Sequence, residues 1–171
     1  PAQAAPVAAI DPATAPALES GFYDAFFDGA LFIGDSITQG LQNHMVQLRQ
    51  SQPRLLGDAK IVAAKDFSLD TAASDVVADG GAALRYRGRP MSIAALLEAT
   101  QAQSVFILLG TNDCAGKDPA AVAAAYEKLL SYIRDSAPNA KIYIQSCTPV
   151  TKEKETADFN NERLDALNAA L

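Results

Sequence analysis

The sequence predicts an α/β domain with a mainly parallel sheet, and two patterns carry that expectation. Short apolar runs of strand length alternate with longer segments whose apolar residues recur at helical spacing. One run, residues 105–109 (VFILL), is apolar at every position, as suits a parallel strand covered on both faces.

Residues 1–20 are dominated by Ala and Pro, the composition of extended, non-packing chain, and are expected to form a linker or tail ahead of a domain over residues 21–171. Residues 30–36 (ALFIGDS) read as a short buried strand ending at Gly34, and Ile37, Leu41, Met45 and Leu48 carry the chain into a helix. Residues 60–64 form the second expected strand. Residues 92–99 form a short helix with Ile93, Leu96 and Leu97 on one side, leading into the third strand at 105–109. Asp118 is placed to cap the next helix and Pro119 suits its first turn. Val122, Tyr126, Leu129, Leu130 and Ile133 line its inner face before residues 136–139 end it. Residues 141–146 are the fourth strand, and a last helix is expected from about Thr156, with Phe159, Leu164, Leu167 and Leu171 inward. In such sheets ligands bind at the carboxyl ends of the strands, so an active site should collect on that rim.

Composition narrows the function. The 171 residues are 49% hydrophobic and 20% charged, as in a soluble globular domain, and no apolar run approaches the roughly 18 to 20 residues that span a bilayer. The net charge of -6 argues against a nucleic-acid partner. Arg85, Arg87 and Arg89, around Tyr86 and Gly88, run against that charge; an acidic substrate could meet them, but they are read as a solvated loop and given no role. Cys114 and Cys147 are too few and too far apart for a zinc site, so neither a metal nor another cofactor is expected. The chain begins with Pro rather than Met, and the Ala/Pro segment suits a protein secreted or tethered outside the cytoplasm, although a cytoplasmic setting stays open.

Two short motifs carry the chemistry. Gly34-Asp35-Ser36 sits where the first strand gives way to a helix, whose free N–H groups and partial positive charge could stabilise an oxyanion beside an exposed serine. Alone, the serine could equally be a helix cap. Gly110-Thr111-Asn112-Asp113 follows the third strand on the same rim, where the Asn112 amide could donate to that oxyanion.

Together, GDSIT (residues 34–38) and GTND (residues 110–113) resemble the first and third signature blocks of the SGNH (GDSL-like) serine hydrolases, over roughly residues 30–171. The resemblance implies a flavodoxin-like three-layer sandwich and an acyl or acetyl ester hydrolase acting on small acyl esters, lipids or acylated glycans. By the same resemblance Ser36 is the nucleophile, and its N–H, a backbone N–H at Leu69 and the Asn112 side chain form the oxyanion hole. Gly34, Asp35, Gly110 and Asp113 shape the turns. Leu69 stands where the family often has glycine (residues 66–71, DFSLDT), a place where a leucine would resist a positive φ and crowd the acyl group.

The family's Asp-x-x-His block, source of the general base, is absent from the sequence. The one histidine, His44, lies eight residues past Ser36, about 12 Å of helical rise, too far for a hydrogen bond. It is expected as a border or core residue of its helix. The base is therefore expected outside this chain, in a missing final strand, loop and helix or in a second polypeptide segment, which leaves residues 1–171 inactive by themselves. An O-acyltransferase using the same site, and a non-catalytic glycan-binding scaffold, are the alternatives. Cys114 and Cys147 fall on the same rim, where a disulfide and free thiols are both compatible with the pattern.

Overall fold

The computed structural model describes residues 24–171, so the expected linker over 1–20 lies outside the described residues. Its strands are β1 (Ala30–Gly34), β2 (Lys60–Ala63), β3 (Arg85–Tyr86), β4 (Arg89–Pro90), β5 (Ser104–Leu108) and β6 (Lys141–Ile144). The α-helices are α1 (Ser36–Leu48), α2 (Leu69–Ala72), α3 (Ile93–Thr100), α4 (Pro119–Ser136) and α5 (Asn161–Ala170). Four strands form one sheet in the order β2-β1-β5-β6, with every neighbouring pair parallel.

Strand alternation sends successive side chains to opposite faces, and both faces are covered. Ala30, Phe32, Ile61 and Phe106 point to one side, where Met45, Leu41 and Leu48 of α1 meet them. Leu31, Ile33, Val62, Val105 and Ile107 point to the other, against Leu96 of α3, Leu129 and Ile133 of α4, and Leu164 and Leu167 of α5. Three layers result. The register places Phe32, Phe106 and Tyr143 side by side on three adjacent strands, and their rings stack at 4.6 Å for each neighbouring pair. Offset aromatic pairs add to the area they bury.

Three local expectations are corrected. The last helix begins at Asn161 rather than near Thr156, because the side chain of Asn160 accepts from Arg163 N–H and caps it there; Phe159 lies in the turn before. The three arginines lie on a two-stranded hairpin, β3–β4, rather than in an irregular loop. Arg87 (φ 50°) and Gly88 (φ 79°) both take the left-handed backbone that a tight hairpin turn demands. His44 is exposed, since α1 turns Thr38 and Met45 to the core and leaves position 44 on its outer flank. The cysteines, left open by the sequence, are free and buried. Among the described residues no helix is long and apolar enough to cross a membrane.

Candidate active site

β1 lies between β2 and β5, so the turns leaving these three strands stand side by side on the carboxyl rim of the sheet. From the middle strand comes Ser36, exposed, as the first residue of α1. Gly34 is demanded by packing: a Cβ there would stand 2.0 Å from Thr38 Oγ1 and 2.6 Å from the Leu108 carbonyl. That close approach lets the chain leave the sheet and enter the helix within two residues.

Asp35 answers the question of capping. Its carboxylate accepts from Ile37 N–H at 2.9 Å, so the cap of α1 is Asp35 and not Ser36. The Ser36 hydroxyl makes no hydrogen bond to another described residue. Its own N–H is the first of a helix, among those with no intrahelical acceptor. Asp35 is fully buried and its second carboxylate oxygen has no partner among the described residues. Burial pushes its carboxyl above the usual range, an effect that the Ile37 N–H opposes and the nearby Asp113 reinforces.

The turn after β5 is held from below by Tyr126 of α4. Its buried hydroxyl accepts from Leu109 N–H at 3.0 Å and donates to Leu109 C=O at 2.8 Å, and burial raises the phenol well above its ordinary value. Gly110 has φ 108°, and a Cβ there would fall 2.8 Å from Leu167 of α5, so only glycine fits. The Cys147 thiol donates to Leu109 C=O at 3.2 Å and is pushed up to about 11 by burial. A buried, neutral thiol of this kind is inert.

Asn112 and Asp113 both reach across the end of β1 to the turn that follows β2. The Asn112 amide, exposed, donates to the carbonyls of Lys65 (3.2 Å) and Phe67 (3.1 Å). The buried Asp113 carboxylate accepts from Leu69 N–H with both oxygens, at 3.1 and 3.2 Å. Burial raises Asp113, opposed by the Leu69 N–H and by Lys117, whose ammonium stands 3.7 Å away while pairing with Asp70 at 2.7 Å. Of the three N–H donors expected around an oxyanion, those of Leu69 and Asn112 are thus engaged with protein acceptors, and that of Ser36 has no acceptor among the described residues.

Leu69 differs from expectation in a second way. It opens α2 without a positive φ, and its side chain is buried in the core, so it neither strains the backbone nor crowds the rim.

A third set of residues locks α5 to this rim. Asn168 accepts from Cys147 N–H and donates to its carbonyl, Asn161 does the same for Val150, and Arg163 donates to the carbonyls of Cys114 and Lys117. These partners, with the Tyr126 hydroxyl, were not marked by sequence; a tyrosine in an otherwise apolar helical stripe was the one available signal. A cleft of about 420 Å³ opens beside Asp113, walled by Asp70, Lys117 and Lys128 and floored by Ala121, Val122, Ala124 and Ala125 of α4. Among the described residues no group of three His, Cys, Asp or Glu could hold a metal ion.

The model of the GDSL-like lipase/acylhydrolase family matches residues 32–171, and the chain belongs to that family of hydrolases. Among solved structures it is similar in fold to a Streptococcus pneumonia protein that carries the provisional name platelet activating factor (19% identity, TM-score 0.51). It is likewise similar to a serine-to-alanine mutant of an acetyl esterase with acetate ion (14%, 0.52) and to a carbohydrate esterase family 3 protein from Talaromyces cellulolyticus (16%, 0.54). Each comparison covers 83% of this chain, which spans 58% of the first neighbour's length and 69% of the other two. Among curated proteins, none matches.

Proposed function

We propose that this chain carries the nucleophile of a serine esterase and that Ser36 is that nucleophile. The observation that carries the reading is the uncommitted Ser36 hydroxyl at the start of α1, with Asp35 taking the capping role that would otherwise explain a serine there. Ser36 Oγ attacks the ester carbonyl carbon while a base takes its proton, and collapse of the tetrahedral intermediate breaks the ester bond as the proton passes to the leaving alcohol. Water then attacks the acyl-serine, releasing the acid and restoring the hydroxyl.

The oxyanion is held by the Ser36 N–H and by the Asn112 amide once it leaves the Lys65 and Phe67 carbonyls. The Leu69 N–H joins them only if Asp113 gives it up. The base is a histidine from outside residues 1–171, because His44 is exposed and about 12 Å along α1 from Ser36. The substrate is an acyl or acetyl ester, with glycan esters favoured by the acetyl esterase and carbohydrate esterase among the structural neighbours. An extracytoplasmic setting accords with the Ala/Pro-rich residues 1–20.

The test is p-nitrophenyl acetate turnover by the full reading frame, expected to vanish in Ser36→Ala. Undiminished turnover in that variant overturns the nucleophile assignment. Residues 1–171 alone are expected to show no turnover, and a serine-dependent rate from them would overturn the external base.

A further inference from the structure

The basic cluster that stood out in an acidic sequence has a defined place in the fold. Arg85, Arg87 and Arg89 are all exposed on the β3–β4 hairpin, and among the described residues none of their guanidinium groups forms an ion pair or donates a hydrogen bond. The two left-handed residues at its tip make the turn tight, so the guanidinium groups are carried on a short, braced element. Three unpaired cations this close repel one another, and an anion relieves that repulsion.

The hairpin also walls a groove. Arg85, Tyr86 and Arg87 face Met45 and Val46 of α1, Arg49 at its C-cap and Ile61 of β2 across a cavity of about 400 Å³. Most other polar groups that line it are already committed. Arg49 donates to the carbonyls of Leu55, Leu56 and Ala59, Gln42 to that of Ile61, and Lys60 pairs with Asp58. Arg85 and Arg87 remain as the cations free to take a ligand, and the Arg87 guanidinium lies 5.2 Å from the centre of the Tyr86 ring. Methionine, valine and isoleucine side chains supply an apolar wall beside them.

We infer that this groove is a binding subsite for the carboxylates of an acidic polysaccharide, the acyl-bearing polymer on which the proposed esterase acts. A guanidinium fork matches a carboxylate with two parallel hydrogen bonds, and the apolar wall fits the C–H faces of sugar rings. The groove runs along α1 from Gln42, about 9 Å of helical rise below Ser36, to Arg49, about 20 Å below it. Only an extended ligand spans from there to the serine. Single-stranded nucleic acid is the competing polyanion; it offers phosphodiesters rather than carboxylates on sugar rings, and its binding is an outcome of the test. The inference rests on the esterase reading for the identity of the polymer, but not for binding.

The experiment is affinity electrophoresis of residues 1–171 in gels containing polygalacturonate, neutral dextran or single-stranded DNA, with wild type, Ser36→Ala and the double variant Arg85→Ser/Arg87→Asn. Asparagine is chosen at 87 because it tolerates the left-handed backbone there. Polygalacturonate is expected to retard wild type and Ser36→Ala equally, and the double variant roughly tenfold more weakly, with dextran and DNA inert. Thermal unfolding checks that the double variant is folded, and Arg85→Lys/Arg87→Lys, which keeps the charge and loses the fork, is expected to bind at an intermediate strength. Retention of Ser36→Ala equal to wild type, set beside loss of p-nitrophenyl acetate turnover in Ser36→Ala of the full reading frame, supports both readings. Retention that is absent, unchanged in the double variant, or stronger on DNA overturns the subsite without touching the nucleophile assignment.

Discussion

The carboxylate of Asp113 takes the Leu69 N–H on both of its oxygens, at 3.1 and 3.2 Å, inside the protein. Neighbouring Asn112 grips the same turn through the carbonyls of Lys65 and Phe67. The two residues therefore bind the turn after β2 to the turn after β5 over the end of β1, and Ser36 stands at the join. Removing the carboxylate in Asp113→Ala leaves a buried N–H without an acceptor, which costs about 1–3 kcal/mol. Urea unfolding should show a lower midpoint with an unchanged slope. A midpoint within error of wild type would mean that water or a neighbouring carbonyl replaces the carboxylate.

Asp35 makes stability depend on pH in a stated direction. Its folded carboxyl lies above the ordinary value of 3.8, chiefly through burial. The neutral form is favoured in the fold, so its contribution is full below the unfolded pKa and is lost as pH rises through the folded one. Asp58 acts oppositely: its carboxyl is lowered, first by the Gly29 N–H, and its contribution is lost only as pH falls below 3.8. Asp35→Asn keeps an oxygen for Ile37 N–H and removes the charge, so wild-type stability should fall relative to the variant as pH rises above about 4. Parallel curves for the two proteins from there to neutral pH would refute the assignment.

The layered sheet was legible because each of its four strands is a short, mostly apolar run and α4 carries its own cap and inner stripe. The rim was legible in part. Gly34, Ser36 and Asn112 sit where short motifs at strand ends place them, since parallel strands send those ends to one side. What the sequence could not show was which donors are engaged, because the bonds from Leu69 to Asp113 and from Asn112 to Lys65 and Phe67 join residues far apart in the chain. The β3–β4 hairpin was missed for a different reason. Its strands are two residues each, too short for an alternation to register, and the left-handed Arg87 is not the residue type that usually marks such a turn.

Tyr126 offers a narrower test of how the rim is supported. Its hydroxyl serves both the N–H and the C=O of Leu109. In Tyr126→Phe the carbonyl keeps the Cys147 thiol as a donor, whereas the N–H loses its partner. The expected loss is about 1–3 kcal/mol, and amide exchange at Leu109 should accelerate while that at the centre of β5 changes by no more than the global loss. Uniform acceleration across the sheet would assign Tyr126 to general packing instead.

Asn168 tests whether α5 is fastened to the rim by polar contacts or merely by apolar burial. Its amide makes a reciprocal pair with the backbone of Cys147, accepting at 2.8 Å and donating at 3.0 Å, just beyond the end of β6. Leu164 and Leu167, both fully buried, hold the same helix against the core. Asn168→Leu keeps the branched side-chain shape and deletes both bonds, exposing the loss of about 1–3 kcal/mol that follows from leaving the Cys147 N–H and C=O unpaired. Leu167→Ala removes apolar volume beneath Gly110 and costs about 2–5 kcal/mol. If polar fastening sets the position of the loop after β6, limited proteolysis should open residues 148–160 in Asn168→Leu at a protease level that Leu167→Ala matches only near its unfolding midpoint. Equal cleavage of the two variants at matched stability would show that the helix is held by its leucines alone.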